Sequence, residues 1–415
     1  MIQYILAVLI LCILVFFAYT KLKYPFWNNQ AVFHTYDFHR YFYTNPFIVY
    51  QQPIKTKFLD LSQIRTYHYL DITEYQQKEF TNLLQCYYIP TERITHNITN
   101  KDLITYFSGH IEPCYLSLYQ PKSFQVIDSS YNQPNIQVTQ TEHALGCITS
   151  RPINMLYKST LHEFHYEKLP IYFMDYLCLH RQEKQKELNR KLLQTHEYNQ
   201  RLFNPNIKVS LIKKEVDLFD GVVPLVTYST HTYRLNKTKL LDFPDHYFIE
   251  EIKETNLHLL SDFFIHSSEN TIKTMYFDVI LFNDMNNVLA LIKQKLLYVY
   301  CLKRKNNIHA FYFFKNMKTY YEDAEGNTLQ VLSSIMNCSS YELFYYGFVN
   351  SLTTILKMNK DIKMMLFDDI AHNSVLLRYW SQQNRPIFSN QNAYYLMNFI
   401  YPCSPMLKER CFILF

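Results

Sequence analysis

The amino-acid sequence predicts an α+β protein built from two consecutive units of one layout, preceded by an apolar helix. Three observations lead to this prediction. Residues 1–20 carry no charged side chain. Downstream, apolar runs of strand length alternate with amphipathic segments of helical spacing. The order of these segments in residues 58–240 starts again in residues 241–415, with an irregular stretch at residues 21–57 before the first unit.

Composition excludes several classes of protein. The chain has 415 residues, of which 48% are hydrophobic, and its 37 Tyr and 31 Phe supply enough apolar area for two cores. Only 5 Gly occur, which excludes glycine-rich nucleotide loops. The net charge of +5 is spread along the chain, which argues against a nucleic-acid partner. The 9 Cys form no C-x-x-C pair and favour buried thiols in a reducing compartment.

The N-terminal segment predicts a single-pass membrane anchor. Residues 4–19 are almost wholly apolar, which is about the length needed to cross a bilayer core as a helix. The segment lacks the basic start and the small-residue cleavage site of a signal peptide. Lys21 and Lys23 follow it directly, so we expect the body of the protein to face the cytosol.

The first unit is predicted to contain three helices and four strands. Helical spacing of apolar residues is found at residues 74–88, 101–107 and 184–202. Strand-like runs occupy residues 114–118, 144–150, 172–180 and 207–212. The junction between residues 171–180 and the helix after it is a strand that leads into a helix through a basic turn. Such a junction suits an anion, because the helix start offers free N–H groups and a favourable dipole.

The second unit is predicted to repeat helices and strands in a similar order. Residues 248–264 and 339–357 have helical spacing. Strand-like runs lie at residues 288–292, 296–302, 308–314, 362–367 and 393–400. The chain ends in the apolar run CFILF, residues 411–415.

Several stretches resemble motifs of the eukaryotic N-myristoyltransferases, a family with two GNAT-like acyl-CoA N-acyltransferase folds in pseudo-symmetric arrangement. KYPFWNNQAV at residues 23–32 is similar to K/R-Y-x-F-W-x-T-Q-P-V, and DYLCLH at residues 175–180 is similar to N-F-L-C-V-H. KQKEL at residues 184–188 occupies the place of R-S-K-R-L. DGVV, YYLMNF and CSPM, starting at residues 220, 394 and 403, resemble A-G-V-V, Y-Y-L-Y-N-W and C-P-S-M.

The resemblance implies a set of donor-side residues. The arm of residues 21–57 would cover the acyl donor through Tyr24, Phe26 and Trp27, and the backbone amides of Tyr176 and Leu177 would stabilise the oxyanion. Further contacts to the CoA moiety would come from Leu179 and from a pyrophosphate cradle made of Lys184, Gln185, Lys186, Glu187 and Leu188. The α-carboxylate of Phe415 would be the general base. On the residues alone, the two lysines could equally be solvated helix positions, and the arm could simply pack on a domain surface.

Acceptor-side residues implied by the resemblance are Phe219, Gly221, Tyr233, Asp369 and Asn398. Here the sequence departs from the family. Residues 89–98 carry one acid where the family has an acidic loop, and Phe219 stands where the family has a threonine. The family's histidine after Tyr233 is missing, and FSNQ at residues 388–391 replaces a glycine-rich loop.

Together with the apolar N-terminal segment, the resemblance implies a membrane-anchored enzyme that transfers a long-chain acyl group from myristoyl-CoA or a similar acyl-CoA to an N-terminal glycine of a protein or peptide. This is a step of lipoprotein biosynthesis, with acyl-CoA as co-substrate and no permanently bound cofactor. The alternative is a degenerate homologue that binds acyl-CoA as a membrane-anchored scaffold without turnover. His162 and His165 have metal-like spacing but no third ligand, so we expect no metal site.

Overall fold

The computed structural model describes most of the chain. The described residues are 1–42, 45–89, 91, 93–121, 123–127, 137–141, 143–158, 166–181, 185–235, 239–244, 246–268 and 277–415. His162, His165 and Lys184 lie outside them, so the predictions for these three residues stay predictions.

The helices and strands are numbered here in chain order. The helices are α1 (Ile2–Lys23), α2 (Glu74–Tyr87), α3 (Asn100–Phe107), α4 (Gln185–Phe203), α5 (His258–Ser268), α6 (Met285–Lys293), α7 (Tyr341–Met358) and α8 (Asn373–Gln383). The strands of the first half of the chain are β1 (Phe47–Ile48), β2 (Ile64–His68), β3 (Ile94–His96), β4 (Tyr115–Tyr119), β5 (Ser123–Ile127), β6 (Gln137–Thr141), β7 (Gly146–Lys158), β8 (Tyr166–Leu179), β9 (Ser210–Glu215) and β10 (Val226–Arg234). Those of the second half are β11 (Tyr247–Glu251), β12 (Val279–Phe282), β13 (Leu297–Arg304), β14 (Asn307–Tyr321), β15 (Gly326–Met336), β16 (Ile362–Asp368), β17 (Phe388–Met397), β18 (Phe399–Ile400) and β19 (Cys411–Leu414).

One mixed sheet of 15 strands organises the molecule. Its main path runs β11-β13-β14-β15-β16-β10-β17-β9-β8-β7-β12-β19, and β2, β3 and β4 are attached at the sides. The two halves interlock within this sheet. β10, from the first half, lies between β16 and β17 of the second, while β12 of the second half pairs with β7 of the first. The α+β class is confirmed, and the boundary at residue 240 stays a prediction.

Local signals explain where several helices begin. Thr73 and Gln76 form a capping box at the start of α2, and Thr99 and Asp102 form another at the start of α3. Ser340 caps α7 by accepting the backbone N–H of Leu343. These helices were predicted within one or two residues of their observed starts.

Two predicted elements are wrong. Residues 288–292 were expected to form a strand but lie in α6, where Val288 and Leu291 are buried at helical spacing. A short apolar run cannot distinguish a buried helix from a strand by periodicity. The helix predicted from residue 248 begins only at His258, because residues before it form the edge strand β11, in which Tyr247 pairs with Arg304 of β13.

Two further boundaries also differ from the prediction. The strand expected at residues 207–212 is β9, which begins at Ser210 and pairs with β17 as far as Glu215. The strand expected at residues 393–400 begins earlier, since Phe388 opens β17 and pairs with Thr232 of β10.

The helix α1 lies outside the packed body. Thr20 is its one buried residue, and every other residue of α1 is exposed. In the part of the chain that the structure describes, α1 is the one helix long and apolar enough to cross a membrane. This rests on length and composition, and a signal sequence near an N-terminus meets the same criterion.

Candidate active site

A β-bulge interrupts β8 at the two residues expected to stabilise an oxyanion. Asp175 pairs with Thr149 and Cys178 pairs with Cys147, so Tyr176 and Leu177 together oppose a single residue of β7. Tyr176 has φ of 51°, a left-handed conformation that is unfavourable for a side chain with a Cβ. A bulge of this kind redirects backbone N–H groups out of the sheet ladder.

The ring of Tyr176 holds the bulge in place. It is buried among aromatic side chains of α2, α3 and the residue after α2, with ring centres 6.2 Å from Phe80, 5.5 Å from Tyr106 and 5.3 Å from Tyr88. Such packing offsets the cost of the left-handed backbone, which is of order 1–3 kcal/mol.

The sheet opens beside this bulge. β8 and β9 pair in parallel from Tyr172 to Met174, and no further pair joins these two described strands. β9 continues along β17 instead, as far as Glu215 opposite Asn392. The two strands therefore separate immediately before Asp175, and this leaves one edge of the bulge without a neighbouring strand.

The carboxylate of Asp175 accepts the hydrogen bond of a backbone N–H in the bulge. Its Oδ1 accepts the backbone N–H of Tyr176 at 2.8 Å, and its Oδ2 accepts the hydroxyl of Tyr106 at 2.9 Å. The hydroxyl of Tyr88 lies 3.5 Å from Oδ1, which is long for a hydrogen bond.

Arg151 lies behind this group and is fully buried. Its guanidinium donates to the Tyr106 hydroxyl oxygen at 2.6 Å and to Asn283 Oδ1 at 3.1 Å. The guanidinium carbon is 3.9 Å from the centre of the Tyr106 ring. Arg151 was not predicted from the sequence, although a lone arginine within an apolar strand is a usable signal, since buried charges are rare without partners.

The last residue of the chain reaches the same place. β19 runs parallel to β12, and its neighbour Phe415 is buried with ring centres 4.3 Å from Phe173 and 5.8 Å from Tyr394. A cavity of about 80 Å³ joins the terminus to the bulge. Its polar and terminal lining includes His96, Tyr106, Asp175, Tyr176, Lys315 and Phe415.

Two bases in this cavity have lowered pKa values. Burial lowers the pKa of Lys315 to about 8, and the nearby charge of Arg151 adds to the effect. Burial also lowers the pKa of His96 to about 4, and neither of its ring nitrogens has a hydrogen-bond partner among the described residues. Both groups favour their neutral forms more than they would in water.

A second concave site lies at the start of α4. This groove, of about 470 Å³, is lined by Pro25 and Phe58 on one side and by the first turns of α4 on the other. Four cationic side chains line it, namely Lys57, Lys186, Arg190 and Lys191. Its basic lining and the adjacent N-terminus of α4 suit an anion.

Only some of the residues predicted to bind the pyrophosphate line this groove. Lys186 and Glu187 are exposed and line the groove, whereas Leu188 is buried with Leu179 in one apolar cluster. Gln185 is the first residue of α4. Lys57 and Arg190 were not predicted from the sequence, although the i, i+4 spacing of Lys186 and Arg190 is a usable signal for Arg190.

The N-terminal arm packs against the body near this groove. Phe26 is buried, with its ring centre 5.0 Å from that of Phe58, and the Arg190 guanidinium lies 5.8 Å from the Phe26 ring. Trp27 packs on Phe219 at 4.4 Å between ring centres. The arm thus forms one wall of the basic groove.

Solved structures share this architecture. A crystal structure of Saccharomyces cerevisiae N-myristoyltransferase with bound myristoyl-CoA superposes with a TM-score of 0.61 over 91% of this chain and 93% of its own, at 13% identity. The chain has the N-myristoyltransferase fold. A second structure of the yeast enzyme with myristoyl-CoA gives 0.61 at 12% identity, covering 91% and 88% of the two chains. A third, with myristoyl-CoA and inhibitors, gives 0.63 at 13% identity, covering 91% and 90%.

Comparisons of sequence find no such relationship. No protein family matches the chain by its sequence pattern, and no curated protein matches it. At 12–13% identity, the likeness to the yeast N-myristoyltransferase is therefore one of fold.

The five acceptor residues implied by the N-myristoyltransferase motifs do not form one cluster. All five lie within the described part of the chain, and none of them lines the cavity beside Asp175 and Phe415. Phe219 and Gly221 lie against the arm. A Cβ at Gly221 would come 2.8 Å from the ring of Tyr24, and this glycine has φ of 82°.

The other three acceptor candidates make structural contacts. Tyr233 is buried in the core of the second half, 6.2 Å from the Trp380 ring. Asp369 forms an ion pair with Lys408. Asn398 has φ of 63°, and its amide donates to the carbonyls of Tyr50 and Lys208, at 2.9 Å each. Their roles in acceptor binding stay predictions.

A buried acidic group that the sequence analysis missed lies at the end of β16. Asp368 accepts hydrogen bonds from the Thr230 hydroxyl at 2.5 Å and from the Gln330 amide at 2.7 Å. Burial raises the pKa of Asp368 to about 6, although Lys213 opposes this shift. A carboxylate directly after the apolar run of residues 364–367 was the signal for it.

Proposed function

We propose that this chain transfers a long-chain acyl group from acyl-CoA to the N-terminal glycine amine of a protein or peptide. One observation carries the proposal. On the N-myristoyltransferase fold, the bulge at Tyr176 and the terminal Phe415 line one buried cavity. Acyl transfer from a thioester needs this combination of oxyanion donors and a nearby base.

In the proposed reaction, the amine nitrogen attacks the thioester carbonyl carbon and the carbonyl oxygen becomes an oxyanion. The backbone N–H groups of Tyr176 and Leu177 stabilise that charge. The α-carboxylate of Phe415 accepts the proton that the amine loses. The carbon–sulfur bond then breaks, and the CoA thiolate leaves with the electron pair.

The acyl donor is proposed to lie along the open edge of β8. The groove of Lys57, Lys186, Arg190 and Lys191 would bind the CoA phosphates, supported by its charge and by the start of α4. Phe26 and Trp27 of the arm close this side. The neighbouring yeast structures with myristoyl-CoA support a long acyl chain as the donor group.

The helix α1 is proposed to anchor the enzyme in a membrane, with the body in the cytosol. Its apolar length and its exposure outside the packed body support anchoring, and Lys21 and Lys23 support the orientation. The hydrophobic product would then be released beside the bilayer that receives it.

A second candidate function is acyl-CoA binding without turnover. It is favoured by the carboxylate of Asp175 on the Tyr176 amide and by the dispersed acceptor candidates. In this function the groove and the arm keep their roles, and the protein acts as a membrane-anchored scaffold.

One experiment separates the two functions. Residues 22–415 and the detergent-solubilised full chain are assayed for myristoyl-CoA binding and for transfer to peptides with N-terminal glycine. Matched peptides with an acetylated N-terminus are the control, because they lack the attacking amine. Transfer to free glycine peptides supports the enzyme; tight binding without transfer to any peptide supports the scaffold. Failure of both proteins to bind myristoyl-CoA rejects both functions.

A further inference from the structure

We infer that Asp175 is a positioning residue that keeps the oxyanion amide of Tyr176 closed until its carboxylate turns away. This inference rests on the proposed function, because it concerns the amide that the transfer reaction would use. The site then has a resting state in which the Asp175 side chain blocks the Tyr176 amide.

The amide in question is already occupied. Asp175 Oδ1 lies 2.8 Å from the Tyr176 backbone nitrogen, which is normal hydrogen-bond distance. One N–H cannot point well at two acceptors at once. A thioester oxygen can therefore use the Tyr176 N–H only after Oδ1 has left it.

The closed position of the carboxylate is stabilised from the other side. Tyr106 donates its hydroxyl to Oδ2 at 2.9 Å, and Arg151 in turn donates to the Tyr106 oxygen at 2.6 Å. A buried cation behind the tyrosine strengthens the hydroxyl as a donor, because hydrogen bonds in a chain polarise one another. The guanidinium, the phenol and the carboxylate thus form one relay that ends on the bulge.

The charge of Asp175 also opposes the reaction at this amide. A carboxylate beside an oxyanion hole repels the negative charge that develops on the carbonyl oxygen, and this repulsion is large where water is excluded. Asparagine at this position would offer the amide a neutral acceptor in place of a charged one. Hydrogen bonds to charged groups are about twice as strong as neutral ones.

The structure offers room for the opening movement. Asp175 lines the buried cavity of about 80 Å³ that it shares with Tyr176 and Phe415, and β9 no longer pairs with β8 at this point. Rotation of one short side chain is therefore enough to expose the amide. The bulge itself stays fixed by the aromatic packing of Tyr176.

Two non-hydrolysable ligands measure the closure directly. One is an S-(2-oxoalkyl)-CoA, whose ketone oxygen takes the place of the thioester oxygen; the other is an S-alkyl-CoA of the same chain length without a carbonyl. Both are titrated by calorimetry into the full chain in detergent, for wild type, Asp175→Asn and Asp175→Ala. The ratio of the two dissociation constants isolates what the carbonyl oxygen contributes to binding, and its change between variants reports the effect of Asp175 on that contribution.

We expect Asp175→Ala to bind the ketone ligand roughly tenfold more tightly than wild type, with the S-alkyl ligand unchanged. For Asp175→Asn, we expect an affinity for the ketone ligand between those of wild type and Asp175→Ala. Tyr106→Phe, which keeps the carboxylate but removes its second donor, should give a smaller gain and serves where Asp175→Ala does not fold. A ketone-to-alkyl ratio identical in all variants would overturn the inference while leaving the proposed function intact. Binding of neither ligand by wild type would reject the proposed function itself.

Discussion

The guanidinium carbon of Arg151 lies 5.7 Å from the ring centre of Phe415 and 3.9 Å from that of Tyr106. A single buried cation therefore contacts both the terminal residue and the tyrosine that holds Asp175. The last residue and the bulge are far apart in sequence, and this side chain joins them.

Removing this cation should destabilise the fold. Arg151→Met loses two hydrogen bonds from a charged donor and leaves Asn283 Oδ1 and the Tyr106 hydroxyl oxygen without that donor, which we expect to cost about 3 kcal/mol of unfolding free energy. Urea unfolding followed by tryptophan fluorescence measures it. Lys293→Met is the matched control: its ion pair with Glu254 is exposed, so its removal should cost less than about 1 kcal/mol. Equal effects would contradict a special role for Arg151.

Extending the chain by one glycine after Phe415 tests the proposed base. The extension moves the carboxylate away while the apolar strand β19 keeps its pairing with β12. Transfer should fall at least about 100-fold, with the dissociation constant for acyl-CoA nearly unchanged. Phe415→Leu is the control, since it alters the ring and keeps the terminal carboxylate in place. Unchanged turnover in the extended chain would remove Phe415 from the mechanism.

Neutralising the basic groove should weaken donor binding through the phosphates. Lys186→Gln combined with Arg190→Gln is expected to raise the dissociation constant of acyl-CoA by roughly tenfold and to flatten its dependence on salt. Fluorescence titration at two salt concentrations measures both effects. Lys78→Gln with Lys363→Gln is the charge-matched control outside the groove. If the control pair weakened acyl-CoA binding as much, the effect would come from the net charge of the protein and not from a phosphate site in the groove.

Gly221 supports the arm through its backbone and its lack of a side chain. In Gly221→Ala, a left-handed φ of 82° and a Cβ 2.8 Å from the Tyr24 ring act together. We expect a loss of about 1–2 kcal/mol from the backbone conformation alone, and more from the clash. The double variant Gly221→Ala/Tyr24→Ala should recover the stability lost to the clash with the Tyr24 ring, but not the stability lost to the backbone conformation. Thermal unfolding of the three variants separates the two parts, and full additivity of the single effects would show that the ring does not matter.

Asp368 predicts a pH dependence of stability. Burial raises its pKa from 3.8 to about 6, so the folded state binds more protons than the unfolded state between these values. The free energy of unfolding should therefore fall as pH rises through this window, by up to about 3 kcal/mol from this group. Asp368→Asn should abolish that contribution, so the fall in unfolding free energy between pH 4 and pH 7 should be smaller than in wild type. Urea unfolding at pH 4 and pH 7 measures the difference, and a slope unaltered by the substitution would assign it to other groups.

The parts of the fold that sequence predicted well are those in which local signals agree. The starts of α2 and α3 have capping boxes, and β13 and β14 are long apolar strands on either side of a polar turn. α6 and β11 were mispredicted because a short apolar run has no periodicity that separates a buried helix from a strand. Only pairing partners distant in sequence decide such segments.

In the candidate site, too, residues within a local motif were predicted and residues brought together by the fold were not. Tyr176 and Leu177 were singled out from a local motif, and both lie in the β-bulge of β8, while their role as oxyanion donors stays a prediction. Arg151, Lys315 and Lys57 were missed, because the cavity and the groove gather them from separate strands and loops. Asp175 belongs to the same motif, yet its contact with the adjacent amide depends on its own backbone ψ and side-chain rotamer, which no sequence pattern specifies.

Because the two halves of the chain exchange strands, neither half can be separated from the other without losing strand partners. β10 cannot find both its neighbours until residues up to the end of β17 have been made, and β7 lacks β12 until well into the second half. Neither half is thus a module that could be transplanted, duplicated or expressed alone without exposing an unpaired strand edge. Separate production of residues 1–240 and 241–415 would give two insoluble fragments, and a chimaera with a relative would have to exchange these interlocked strands together.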